Sequence, residues 1–200
     1  MTVKLVGSTS GSVSLQAPAS TTGGAHRVLT LPDVNGTVAT TTTAGKILQV
    51  KQAVKLDKQT IQSQTLVDIT GMSVSITPSS TSSKILVNYS LVVFANAVYY
   101  TMRLLRNSDS TIFIGDQNPS ATSQTRGSFG SYMPSYVDGR TVVQELLDSP
   151  NTTSATTYKL QVHCPYSSSY IIGINTSPQQ DNYTYMTNSV STITAMEIAA

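Results

Sequence analysis

The sequence predicts an all-β protein whose main body is a jelly-roll-like antiparallel β-sandwich. Three observations lead there. Only 11% of the 200 residues are charged and roughly a quarter are Ser or Thr, against about 25% charged in an ordinary soluble domain. A chain this poor in Glu and Lys disfavours solvated helices and suits strands with polar outer faces. Two long apolar runs, Lys84 to Phe94 and Val98 to Arg106, alternate with the period of a strand. Further short alternating runs, separated by Gly, Pro, Asn and Ser, recur along the chain after Lys46, the spacing of a sandwich rather than of βαβ units.

The two long runs form the centre of the reading. In the first, Ile85, Val87, Tyr89, Leu91 and Val93 share a face, and in the second Val98, Tyr100, Met102 and Leu104 do. Three residues separate them, which predicts a β-hairpin. The opposite face of the first run also carries Leu86, Val92 and Phe94, so partial cover by a second sheet or another subunit is expected.

The chain divides by composition into an N-terminal segment, 1–45, and a larger domain, 46–200. Residues Gly7 to Thr43 hold short runs around Val13 and Leu15, Val28 to Leu31, and Val38, broken by Gly, Pro and Asn-Gly. Three brief strands bury too little apolar area to fold alone, so partners are expected to order this segment. After a hinge at Thr40 to Lys46 comes a half-buried strand with Leu48, Val50, Val54 and Leu56 on one face and Gln49, Lys51, Ala53 and Lys55 on the other. Short strands at Leu66 to Ile69 and Ser73 to Thr77 precede the turn Pro78 to Ser83. Later strands are expected at Thr111 to Gly115, Thr141 to Leu147, Thr156 to Cys164, Tyr170 to Asn175 and Val190 to Ile198. The interval Asp116 to Gly139 shows no strong strand pattern and reads as a long, functional loop.

Composition excludes several classes of function. A net charge of +2 from scattered Lys and Arg gives no basic field for nucleic acid. The single Cys164 leaves the fold to packing or assembly rather than disulfides. No apolar run approaches the length of a membrane span, and no signal peptide is visible, so the expectation is a protein made in soluble form.

The pattern Gly-Ser-x-Ser-Gly-x-Val-x-Leu-x-Ala-Pro-Ala at Gly7 to Ala19, followed by Leu-Thr-Leu-Pro-x-x-x-Gly-Thr-Val at Leu29 to Val38, resembles the repeat of tail-fibre and related virion proteins of tailed bacteriophages. The ending Ser191 to Ile198, with Val67 to Gly71 and Ile76 to Ser80, is similar to fibre tip domains. The resemblance implies a homotrimer whose N-terminal segments interleave while the remainder forms a β-sandwich at the tip, as three sub-stable segments can share one axial core. About one copy of the shaft pattern is present, and the expectation is that no long anchoring domain precedes it. The expectation is therefore a short fibre or tip piece on the virion, docked to another virion protein near its N-terminus. The nearest alternative is a capsid-mounted head fibre or decoration protein, and a more distant one is a polysaccharide-cleaving tail enzyme.

Two aromatic groups are candidate receptor contacts. The interval to Arg140 combines Phe129, Tyr132 and Tyr136 with Asp116, Asn118, Arg126, Asp138 and Arg140. A host surface polysaccharide needs flat aromatic faces for the apolar side of a sugar ring, with amide, carboxylate or guanidinium groups for its hydroxyls. The same aromatics equally suit packing onto the sandwich or a neighbouring subunit. The second group is Tyr166, Tyr183 and Tyr185, with Tyr170 reading as core beside Ile172 and Ile174. No catalytic set, metal site or cofactor is expected. His163 and Cys164 are adjacent on a strand and point apart, which removes a Cys-His nucleophile. A ring of three His26 side chains on a trimer axis is the one metal arrangement the residues suggest, and a lone His is ordinarily polar surface. The acidic residues show no spacing that singles out a glycosidase pair. The Asn-x-Ser/Thr matches at Asn88, Asn151, Asn175 and Asn182 read as chance in a hydroxyl-rich chain.

Overall fold

The structure is a computed structural model and describes residues 2–6, 12–16, 46–95, 98–107, 110–112, 127–135, 138–177, 183–184 and 187–199. The chain divides into two compact units, 1–44 and 45–200. In the first, β1 (Thr2–Val6) runs antiparallel to β2 (Ser12–Gln16), with Val3 opposite Leu15 and Leu5 opposite Val13. β1, formed by TVKLV, has no counterpart among the expected strands, and the runs near Val28 to Leu31 and Val38 lie outside the described residues.

The second unit is built from antiparallel strands: β3 (Ile47–Lys55), β4 (Gln59–Ile61), β5 (Val67–Ile76), β6 (Lys84–Ala95), β7 (Val98–Arg106), β8 (Ser110–Ile112), β9 (Phe129–Met133), β10 (Arg140–Asp148), β11 (Thr156–His163), β12 (Ile172–Ile174) and β13 (Ser191–Ile198). One sheet has the order β3-β13-β6-β10, and β12 with β4 extends it where β13 has ended. The other has the order β5-β11-β7, with β9 and β8 placed end to end on the far edge of β7. The eight principal strands, counted along the chain as β3, β5, β6, β7, β9, β10, β11 and β13, thus fall as first-eighth-third-sixth and second-seventh-fourth-fifth. That is the order of a jelly roll, the fold class the sequence predicts.

Both sheets contribute their inner faces to one core. Ile85, Val87, Tyr89, Leu91 and Val93 of β6 meet Val98, Tyr100, Met102 and Leu104 of β7, with Tyr158, Leu160 and Val162 of β11 beside them. The inner faces of β6 and β7 are as expected, but the hairpin is not. β6 is paired on one edge with β10 and on the other with β13 and β12, while β7 pairs β11 on one edge and β8 and β9 on the other. Two strongly apolar faces bury more area by opposing each other across a core than by lying side by side in one sheet.

Three further differences follow from register. β5 is one strand where two were expected, because a bulge at Gly71 (φ 79°) lets both Ile69 and Met72 face inward. β9 lies within the interval expected to be a loop; its sequence, FGSYM, mixes Gly and Ser with the aromatics. β3 is turned over. Ala53 faces the core and Lys55 is 1% exposed, while Leu48, Val50, Val54 and Leu56 are all exposed. The register sets this, since Ala53 stands opposite Ile193 and Tyr89 in an inward row and Lys55 opposite Ser191.

Polar contacts fasten one end of the sandwich. Asp148 on β10 accepts from Arg106 Nη1 of β7 at 2.9 and 3.0 Å and from Tyr158 Oη of β11 at 2.7 Å, bridging the two sheets. Burial, reinforced by the Asp148 carboxylate, pushes the Tyr158 hydroxyl pKa well up. At the side, the buried Asn175 (φ 62°) donates to the carbonyls of Lys55 and Asp57 and accepts from Ser191 Oγ at 2.6 Å. Asn tolerates the left-handed conformation there, and its amide satisfies the buried Lys55 carbonyl and Ser191 hydroxyl as well as the Asp57 carbonyl.

Candidate functional site

The opposite end of the sandwich gathers most of the described candidates. β6 ends there and β7 begins, β9 and β11 end there, and β10 begins. Tyr132 of β9 points outward and stands opposite Tyr99 of β7. The two rings lie 4.8 Å apart at 49°, with Tyr99 60% and Tyr132 43% exposed. An alternating strand places them on the outer face because their neighbours Tyr100 and Met133 fill the core. One step along the same face, His163, Thr101 and Gly130 form the next row, about 7 Å away at the rise of a strand.

The other candidates are distributed as follows. Phe129 faces inward and packs 6.1 Å from Tyr100, so its ring covers core. Arg140 Nη1 reaches from the start of β10 to Ser131 Oγ at 3.2 Å, on the side of β9 opposite the Tyr132 ring, since Ser131 is paired with the inward Tyr100. Asp138 is exposed and its N–H closes a turn to Ser135 O. The adjoining Gly139 lies flat against the Phe94 ring, so close that a Cβ there would fall 2.4 Å from ring carbon Cζ. This contact covers the outward ring of β6 that the sequence left in need of cover. Tyr166 is 72% exposed and stands 5.9 Å from Tyr170, which packs against the core. Tyr183 is exposed in the connection that leaves β12 at Asn175 and returns at Ser189. Asp116, Asn118, Arg126, Tyr136 and Tyr185 lie outside the described residues, as does His26.

Tyr99 is the participant that sequence reasoning missed. It sits in the most apolar part of the chain, and its only signal is its parity with Thr101 and Arg103 rather than with Tyr100 and Met102.

Among the described residues, two buried side-chain polar atoms have no partner, Tyr100 Oη and His163 Nε2, and both belong to this end. Burial, only partly offset by the Arg140 guanidinium, pushes the Tyr100 hydroxyl up to about 12. His163 points outward and Cys164 inward, as their adjacency requires, and His163 Nδ1 lies 2.8 Å from Gln64 O.

Several carboxylates are tied to structural partners: Asp57 to Lys55, Asp68 to Lys159 and Gln161, Asp148 to Arg106 and Tyr158, and Glu197 to Ser79 and Gln49. Among the described residues no group of three or more His, Cys, Asp or Glu is placed to hold a metal ion, and no helix is long and apolar enough to cross a membrane. What this end offers chemically is a surface: two tilted aromatic faces, a guanidinium and nearby hydroxyls. No protein-family model matches the chain, and no curated protein matches it.

Proposed function

We propose that the chain is an adhesive structural protein of a tailed-phage particle, a homotrimeric short fibre or fibre tip that holds host surface polysaccharide by binding rather than by chemistry. The observation that carries this reading is the Tyr99–Tyr132 pair. Two tyrosine rings side by side on the outside of a sheet contribute little to the core, yet they present the flat apolar faces on which sugar rings stack. Arg140, held at Ser131, supplies donors for sugar hydroxyls or carboxylates at the same end. The fibre-like segments quoted above and the jelly-roll order are consistent with a tip domain. Three weak sites on one trimer, and many trimers on one particle, reach high avidity without a deep pocket.

The test is retention of the full chain on a panel of immobilised bacterial capsular polysaccharides and lipopolysaccharides. The reading expects at least one to retain the wild type, and Tyr99→Ala and Tyr132→Ala to lose that retention while keeping the wild-type circular dichroism. Retention that survives both substitutions would overturn the assignment of the site.

A further inference from the structure

We propose that the outer face of the sheet β3-β13-β6-β10 is covered by a second copy of this chain. The inference rests on the self-associating reading above, but assigns contact to the jelly-roll unit itself rather than to the N-terminal segment alone.

The face is defined by three rows in register across the four strands. They are Val54, Thr192, Ser90 and Val143; then Gln52, Thr194, Asn88 and Glu145; then Val50, Met196, Leu86 and Leu147. All twelve positions alternate with inward-facing core residues, so they look away from the sandwich. The third row is apolar from one side of the sheet to the other. Val50, Val54, Val143 and Leu147 are each about half exposed or more, and Leu48 adjoins them. β3 is turned so that its apolar side chains point here and Lys55 points inward, an arrangement that is costly in a chain with nothing outside this face.

Area, charge and hydrogen-bonding pattern identify the occupant. The exposed apolar side chains with half-buried Leu86, Val92 and Met196 amount to on the order of 600 Å², at the top of what a monomer leaves open and approaching the about 800 Å² per partner of a standard interface. Among the twelve residues only Glu145 is charged, so a strongly charged partner finds no counterpart. The middle row consists otherwise of amides and a hydroxyl, with Gln52 Nε2 donating to Thr194 Oγ1 at 2.8 Å. Such groups both donate and accept, so a row of them is complementary to a copy of itself.

Single cysteines in the full chain test this. Cys164 is buried, so native labelling by a maleimide reports the introduced thiol. Val50→Cys and Leu147→Cys probe the face, and Ser75→Cys, exposed on the other sheet, is the control. Light scattering gives the mass of each variant in the same buffer. The expected result is an oligomer in which Val50→Cys and Leu147→Cys react about tenfold or more slowly than Ser75→Cys, with rates that converge in denaturant. An oligomer with equal rates would overturn the inference and leave the fibre reading standing, with association placed elsewhere. A monomer with slow rates would overturn it too, because a segment of the same chain would then be the cover. A monomer with equal rates would overturn both.

Discussion

Glu197 on the last strand accepts hydrogen bonds from the Ser79 N–H at 2.7 Å and the Ser79 hydroxyl at 2.6 Å, and a third from Gln49 Nε2 at 2.6 Å. One buried carboxylate therefore joins β13 to the β5–β6 turn and to β3. It brings together the segments Ile76 to Ser80 and Ser191 to Ile198. Burial raises its pKa, but the donors from Ser79, Gln49 and Ser83 outweigh that and hold it at about 2, below the ordinary 4.5. A depressed carboxylate stabilises the fold fully above the unfolded value and loses that contribution as pH falls towards the folded one. Glu197→Gln should therefore be less stable than wild type at neutral pH, with the difference shrinking between about pH 4.5 and 2. Urea midpoints across that range read it, and a gap independent of pH would contradict the assignment.

The clamp at Asp148 predicts a graded series. Asp148→Ala leaves Arg106 and Tyr158, paired side by side in one sheet, without their acceptor from the other and should cost about 3 kcal/mol or more. Tyr158→Phe removes one bond and leaves the ion pair in place, so it should cost about 1 to 2 kcal/mol. Chemical denaturation of the two variants gives the comparison. Equal effects would mean that the ion pair between Arg106 and Asp148 contributes nothing beyond the hydroxyl.

Gly127 packs beside the aromatic end, against Thr101 of the neighbouring row. A Cβ there would stand 2.4 Å from Thr101 Cγ2 and 2.7 Å from the Met102 carbonyl oxygen, and the carbonyl belongs to a paired strand that cannot easily yield. Gly127→Ala should destabilise by about 1 to 3 kcal/mol, which in a domain of this size lowers the melting temperature by several degrees, at roughly 2 to 4 °C per kcal/mol. An unchanged melting temperature would show that the start of β9 repacks freely.

Replacement of a single tyrosine separates stacking from hydrogen bonding at the proposed sugar site. Tyr132→Phe keeps the ring beside Tyr99 and should retain most polysaccharide binding, whereas Tyr132→Ala should weaken it about tenfold, or 1.4 kcal/mol. Surface plasmon resonance on a polysaccharide that retains the wild type distinguishes them. Equal loss in both variants would place the interaction at the hydroxyl instead.

The sequence disclosed the sandwich because alternation alone marks which residues face a core, and Ile85 to Val93 and Val98 to Leu104 obey it throughout. Pairing was not legible in the same way. A three-residue gap fits a hairpin as well as a crossing between sheets, and only the occupancy of both edges of β6 decides it. In β3, periodicity gave two faces but not their direction; Lys55 lies inside with its ammonium paired to Asp57 at 2.9 Å and its carbonyl bonded by Asn175. β9 stayed hidden because Gly130 and Ser131 weaken its pattern while Met102 and Tyr100 supply its pairing. Tyr132 and Arg140 were visible as chemistry suited to sugars. Tyr99 was not, since a ring on the outer side of an apolar strand looks like core until its register is known.

The most direct test of the proposed fibre reading is the mass of the full chain in solution at micromolar concentration. The account predicts three times the 21.3 kDa of one chain, unchanged on dilution across the measurable range. A single species of 21.3 kDa would contradict it and leave an isolated jelly roll with an exposed aromatic pair.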